Sequence, residues 1–159
     1  MKRNKTAVIG LGNELLADEG VGMHATRLLG ERLKGKNIDL VEAGTCGMNL
    51  LHQFDEREKI IFIDAGNCGV KPGEFRRFHR DDVVSLKECK GHSLHEFDLI
   101  EFLDTAKKIR QNDIPDVVIY CIQPDEIKMS EKLSPVVNQM LPSLVDRVYH
   151  EVMQRSPGV

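Results

Sequence analysis

No stretch of this chain approaches the roughly 18 consecutive apolar residues that a membrane-spanning helix needs. The basic opening, Lys2, Arg3 and Lys5, is followed by an apolar run of only a few residues that ends in glycines, too short for a secretion signal. The expectation is a soluble, cytoplasmic protein with no membrane partner. An excess of basic charge is also lacking, with 22 Lys and Arg against 25 Asp and Glu. The formal net charge is -3, and a pI near 6.1 offers no general attraction for a phosphate backbone. Only Arg76, Arg77 and Arg80 cluster, and they fit a solvated edge strand better than a binding patch, so no nucleic-acid partner is expected. The four cysteines, Cys46, Cys68, Cys89 and Cys121, form no C-x-x-C pair, which removes that signature of a zinc cage or redox dithiol. Cys121 falls inside an apolar strand pattern as a small buried hydrophobe, whereas Cys46 and Cys68 follow strand ends. No G-x-S-x-G elbow, H-E-x-x-H helix or Walker loop is present. Internal repeats and low-complexity linkers are missing as well.

What is present is an alternation of strand and helix. With 159 residues, 41% of them hydrophobic, the chain suits one compact domain over 1–159 that needs no disulfide or structural metal. Strands are predicted over 5–10, 38–43, 59–64 and 116–122, and an extra edge strand over 74–79. The runs K-I-I-F-I-D and D-V-V-I-Y-C-I are continuously apolar, as central strands covered on both faces are. Helical spacing predicts helices over 19–33, 48–54 and from His95 onward, and a last one opened by Ser134-Pro135, with Pro142 kinking it. The fold class that follows is α/β, a three-layer sandwich with a mainly parallel twisted sheet and helices on both faces. In such sheets the functional crevice lies outside the carboxyl ends of the strands.

The run V-I-G-L-G-N-E-L-L-A-D-E-G-V-G, residues 8–22, joins the first strand to the first helix. Its G-x-G resembles the start of a dinucleotide fingerprint, but Leu15 stands where the third glycine belongs, and Asp18 and Glu19 would repel a pyrophosphate. A nucleotide-binding domain is therefore the weaker alternative. The plain reading of the two acids is an N-cap at Asp18 and a first-turn acid at Glu19. The chemical reading joins three groups at the same sheet edge: Asp18 or Glu19, Asp64 ending the third strand, and His92 or His95 at a loop-to-helix junction. Two carboxylates and an imidazole suit a borderline divalent ion such as zinc, nickel or cobalt and leave coordination positions open, so metal-assisted hydrolysis is the natural reaction class.

Several stretches, in this order, resemble the hydrogenase maturation endopeptidases that process the large subunit of nickel-iron hydrogenases. They are G-L-G-N-E-L-L-A-D-E-G-V-G, E-A-G-T-C-G-M-N-L-L, I-I-F-I-D-A, K-P-G-E-F-R, S-L-H-E-F-D-L and I-Q-P-D-E. The resemblance implies a peptidase that removes a C-terminal extension from the hydrogenase precursor after nickel insertion. It places the metal-contacting, catalytic set on Glu19, Asp64 and His95, and a substrate-recognition turn on Glu42, Ala43, Gly44 and Thr45. Glu42 stands where the family usually has aspartate, and Leu94 where proline is frequent. The nickel is supplied by the precursor, and no tightly held metal of the protein's own is expected. A non-cleaving, metal-sensing assembly chaperone for the same precursor would use the same three residues.

Overall fold

The computed structural model describes residues 3–45, 47–82 and 99–154. Five strands, β1 (Thr6–Leu11), β2 (Ile38–Gly44), β3 (Lys59–Ala65), β4 (Phe75–His79) and β5 (Asp116–Ile122), form one sheet in the order β2-β1-β3-β5-β4. β1 pairs in parallel with β2 and β3, and β3 with β5, whereas β4 runs antiparallel to β5 at the edge. Three α-helices are described: α1 (Val21–Arg32), α2 (Leu99–Ile109) and α3 (Pro135–Met153).

Alternation along the strands assigns the two faces. In β3, Ile60 and Phe62 pack on one side with Leu50, Phe54, Phe102 and Leu103, while Ile61 and Ile63 pack on the other with Val21, Leu29, Leu141 and Leu144. The helical material is thus divided, with α2 and the 3-10 segment Met48–Phe54 on the first face and α1 and α3 on the second. Phe54 anchors the first layer, its ring edge-on to Phe102 at 5.6 Å between centroids. Because Ile60 to Ile63 are all fully buried, β3 is the central strand that its uninterrupted β-branched and aromatic run predicts. The α/β sandwich is confirmed.

Two local expectations change. The helix predicted over 19–33 begins instead as a 3-10 turn, Ala17–Gly20, which Ala17 enters with φ of 51°, before α1 takes over at Val21. The segment 48–54 is 3-10 rather than α. Ser134 caps α3 as expected, accepting from the Val137 amide, and the helix runs unbroken through Pro142. No described helix is long and apolar enough to cross a membrane.

Candidate active site at the carboxyl edge of the sheet

β1 ends against a layer of backbone packed with almost no clearance. Gly12 takes φ of +117°, and its amide donates to the Gly44 carbonyl at 2.9 Å, which ties the turn after β1 to the turn after β2. A Cβ at Gly12 would lie 1.8 Å from the Glu19 carbonyl oxygen, and one at Gly22 would lie 2.3 Å from Ile63 O and 2.5 Å from Leu11 O. Only glycine lets the 3-10 turn and the start of α1 settle onto the ends of β1 and β3. These glycines therefore serve helix-to-strand approach. Glu19, only 3% exposed, is thereby held at the end of β1, and α1 touches β3 one residue before Asp64. Asp64 is half-buried and occupies the carboxyl end of β3, beside Cys121 of β5. The structure thus brings Glu19, from the turn that opens α1, and Asp64, from β3, to one edge of the sheet.

Asp18 has a different role, which corrects its reading as an N-cap. The position before the 3-10 turn is Leu16, with no side-chain cap, and the fully buried Asp18 carboxylate reaches across the chain instead. Its Oδ2 accepts from the amides of Asp125 at 2.9 Å and Glu126 at 2.8 Å and from the Ser134 hydroxyl at 2.8 Å; its Oδ1 accepts from the Ser134 amide at 2.7 Å. Charge-assisted bonds of this kind are among the stronger ones available to a buried carboxylate. They fasten the first turn to the loop before α3 and to the cap of α3 itself. Asp18 is thus committed to the loop before α3 and to its cap, and Glu19 is the other acid of this pair.

The turn after β2 leans on the same edge. Ala43 is buried, Gly44 adopts φ of +58°, and Thr45 is exposed. Glu42 points its carboxylate at Arg27 of α1, with contacts of 2.9 to 3.2 Å, and Arg27 also donates to Glu14 at 2.6 Å. Hydrogen bonds donated to Glu42 and then to Glu14 raise the Arg27 pKa above its ordinary value. The recognition turn therefore carries a partly exposed acid–base–acid bridge, whose members lie too far apart in sequence to be read locally.

His95, the alternative His92, Cys46 and Cys89 lie outside the described residues. Among the described residues, no three His, Cys, Asp or Glu side chains are grouped so as to hold a metal ion. His79 is placed at the other end of the sheet, bonded to Asp116 at the start of β5, and His150 lies near the end of α3. A cavity of about 280 Å³ lined by Arg77, Tyr120, Arg147, His150, Glu151 and Gln154 is also distinct from the acid pair. β4 is the predicted edge strand, but Arg77 is more than solvated: it bonds Glu151 at 2.7 and 2.9 Å.

The sequence pattern missed one pairing altogether. Cys68 and Cys121 are both buried, and the Cys68 thiol lies 3.5 Å from the Cys121 carbonyl oxygen; the nearness of Cys121 foremost, and then the Arg76 charge, lowers the Cys68 pKa against the opposing effect of burial. Fifty-three residues separate them, so no C-x-x-C signal could have revealed it.

The chain matches the family model described as hydrogenase maturation protease over residues 23–151. It is 30% identical over 143 residues to the hydrogenase expression/formation protein HupD of Bradyrhizobium diazoefficiens, covering 89% of this chain and 74% of that protein. It spans 65% and 60% of the length of two further HupD proteins, from Thiocapsa roseopersicina and Rhodobacter capsulatus. Among solved structures, it is similar to the hydrogenase maturating endopeptidase HybD from E. coli, with a TM-score of 0.80 at 24% identity over 93% of this chain and 91% of that one. The NiFe hydrogenase maturation protease HybD from Thermococcus kodakarensis gives 0.76 at 26% identity, over 94% and 99%. The family match, the HupD relationship and the shared fold together place the chain in the hydrogenase maturation protease family.

Proposed function

We propose that this protein is the endopeptidase that removes the C-terminal extension of a nickel-iron hydrogenase large-subunit precursor once nickel has been inserted. It works in the cytoplasm on that precursor. The observation that carries the reading is the convergence of Glu19 and Asp64 on one sheet edge while the neighbouring Asp18 is consumed by structure. Two acids at one edge, with His95 as the third member, form a donor set for a borderline divalent ion. The nickel is part of the substrate, and a metal so placed polarises a carbonyl or activates water. The chain's own residues recognise that ion and set the scissile peptide against it, with the turn Glu42, Ala43, Gly44 and Thr45 meeting the precursor alongside. In hydrolysis, the water oxygen bonds the carbonyl carbon, the C–N bond breaks, and a proton passes to the departing amine.

The test mixes the protein with nickel-loaded and nickel-free precursor and measures the precursor's intact mass, with Glu19→Gln, Asp64→Asn and His95→Ala variants in parallel. A defined C-terminal piece should be lost only with nickel present. The three variants should fold and fail to cut. Binding of the loaded precursor without any cutting would replace this reading with that of a metal-sensing chaperone; cutting by all three variants would remove the assigned residues from the chemistry.

A further inference from the structure

Cys68 and Cys121 come together at the carboxyl ends of β3 and β5. Cys121 lies opposite Asp64 in the β3–β5 pairing and opposite Arg76 in the β5–β4 pairing. Cys68 follows β3 in the loop, where its amide is fixed by the Gln123 side chain at 3.0 Å and its thiol sits 3.5 Å from the Cys121 carbonyl oxygen. The Cys121 thiol in turn lies 3.6 Å from the Gly66 carbonyl oxygen, and both cysteines belong to the same buried cluster. Arg76 donates to the Cys68 carbonyl at 3.2 Å, bringing a guanidinium charge to this corner. Neither cysteine is in a disulfide. Cys68 is fully buried and Cys121 only 8% exposed, so a bulky disulfide reagent has no approach, and the oxidant has to be a small one such as a peroxide.

We propose that Cys68 and Cys121 are a peroxide-sensitive dithiol that closes to an intramolecular disulfide, tying the segment after β3 to β5 beside Asp64. The Cys68 sulfur, as thiolate, attacks one oxygen of hydrogen peroxide; the O–O bond breaks, and the departing hydroxide takes up a proton as water. Cys68 is left as a sulfenic acid. The Cys121 sulfur then displaces the hydroxyl from Cys68, the S–S bond forms, and the Cys121 proton leaves with that hydroxyl as a second water. Overall, two thiols are oxidised to one disulfide while one peroxide is reduced to two waters. A resolving thiol on the very residue whose backbone Cys68 touches favours this outcome over further oxidation at Cys68. The proposal stands on the placement of the Cys68 sulfur against Cys121 and does not depend on the assigned peptidase reaction.

The experiment treats the native protein with hydrogen peroxide, blocks the remaining thiols by alkylation and maps the tryptic peptides without reduction. The expected product joins the Cys68 peptide to the Cys121 peptide with a loss of about 2 Da from the sum of the reduced pair, restored by dithiothreitol. Because folding holds the sulfurs together, the same linkage should form at least about tenfold more slowly in concentrated urea. The proposal is overturned if both residues remain thiols, if either is joined instead to Cys46 or Cys89, if Cys68 passes to sulfinic acid with Cys121 untouched, or if the linkage forms equally fast in urea.

Discussion

Asp18 gathers three backbone amides and one hydroxyl onto two oxygens in a site from which water is excluded. An asparagine there would turn an NH₂ group toward donors and leave at least one of them without an acceptor. Asp18→Asn should therefore cost about 2–4 kcal/mol, read as a lower urea midpoint. Glu19→Gln differs in kind: it should abolish nickel-dependent cutting while cooperative unfolding persists. An Asp18→Asn protein that unfolds at the wild-type urea concentration would show that the bracket contributes nothing. The pattern of strand, turn and two acids is legible in the sequence, but which acid serves which purpose is not, because the partners of Asp18 lie 107, 108 and 116 residues further on. The same long separation hides the pairing of Cys68 with Cys121. By contrast, Asp64 is locally legible, since an acid that ends a continuously apolar strand has a fixed address on a parallel sheet.

At the scale of elements, α3 is fastened at both ends. Ser134 joins its start to Asp18, and near its end Glu151 accepts from Arg77, from Lys59 at 2.8 Å and from the Tyr120 hydroxyl at 2.9 Å. Hydrogen bonds from Arg77 foremost, then Lys59 and Tyr120, pull the Glu151 carboxyl down from 4.5 to about 2, against the opposing effect of burial. A folded-state value below the unfolded one means the cluster stabilises fully above pH 4.5 and loses that contribution as the pH falls toward 2. Glu151→Gln should lower stability at neutral pH by about 1–3 kcal/mol and flatten the decline through that acid window. Thermal melts of both proteins across the window test this, and parallel curves would refute it. The two central strands are legible because burial on both faces leaves an unbroken apolar run, and α3 because Ser-Pro opens it. The 3-10 segments Ala17–Gly20 and Met48–Phe54 are less so, since the helix-like spacing of their apolar residues does not distinguish the two hydrogen-bond patterns over one or two turns.

For the molecule as a whole, the site depends on how closely the helical layer on the α1 face rests on the sheet. The acids come from different elements, Glu19 from the turn that opens α1 and Asp64 from β3, so their separation follows the spacing of the layers. Gly22 is where that spacing is tightest: an added methyl would press on Ile63 O, Leu11 O and the Leu11 amide, all backbone. Neither strand can yield without disturbing its ladder, so Gly22→Ala must lift the start of α1. Overpacking of this kind costs about 1–3 kcal/mol, and here it should also shift Glu19 relative to Asp64. Gly30 is the internal control. It lies on the same helix, and its added methyl would meet only Leu40 Cδ1 at an ordinary 3.6 Å, so Gly30→Ala should fold at least as well as the wild type, by up to about 1 kcal/mol. The expected result is that Gly22→Ala lowers both the urea midpoint and the rate of precursor cutting, while Gly30→Ala lowers neither. If Gly22→Ala were destabilised yet cut at the wild-type rate, the acids would be held by something other than layer spacing, and the geometric basis for pairing Glu19 with Asp64 would fail.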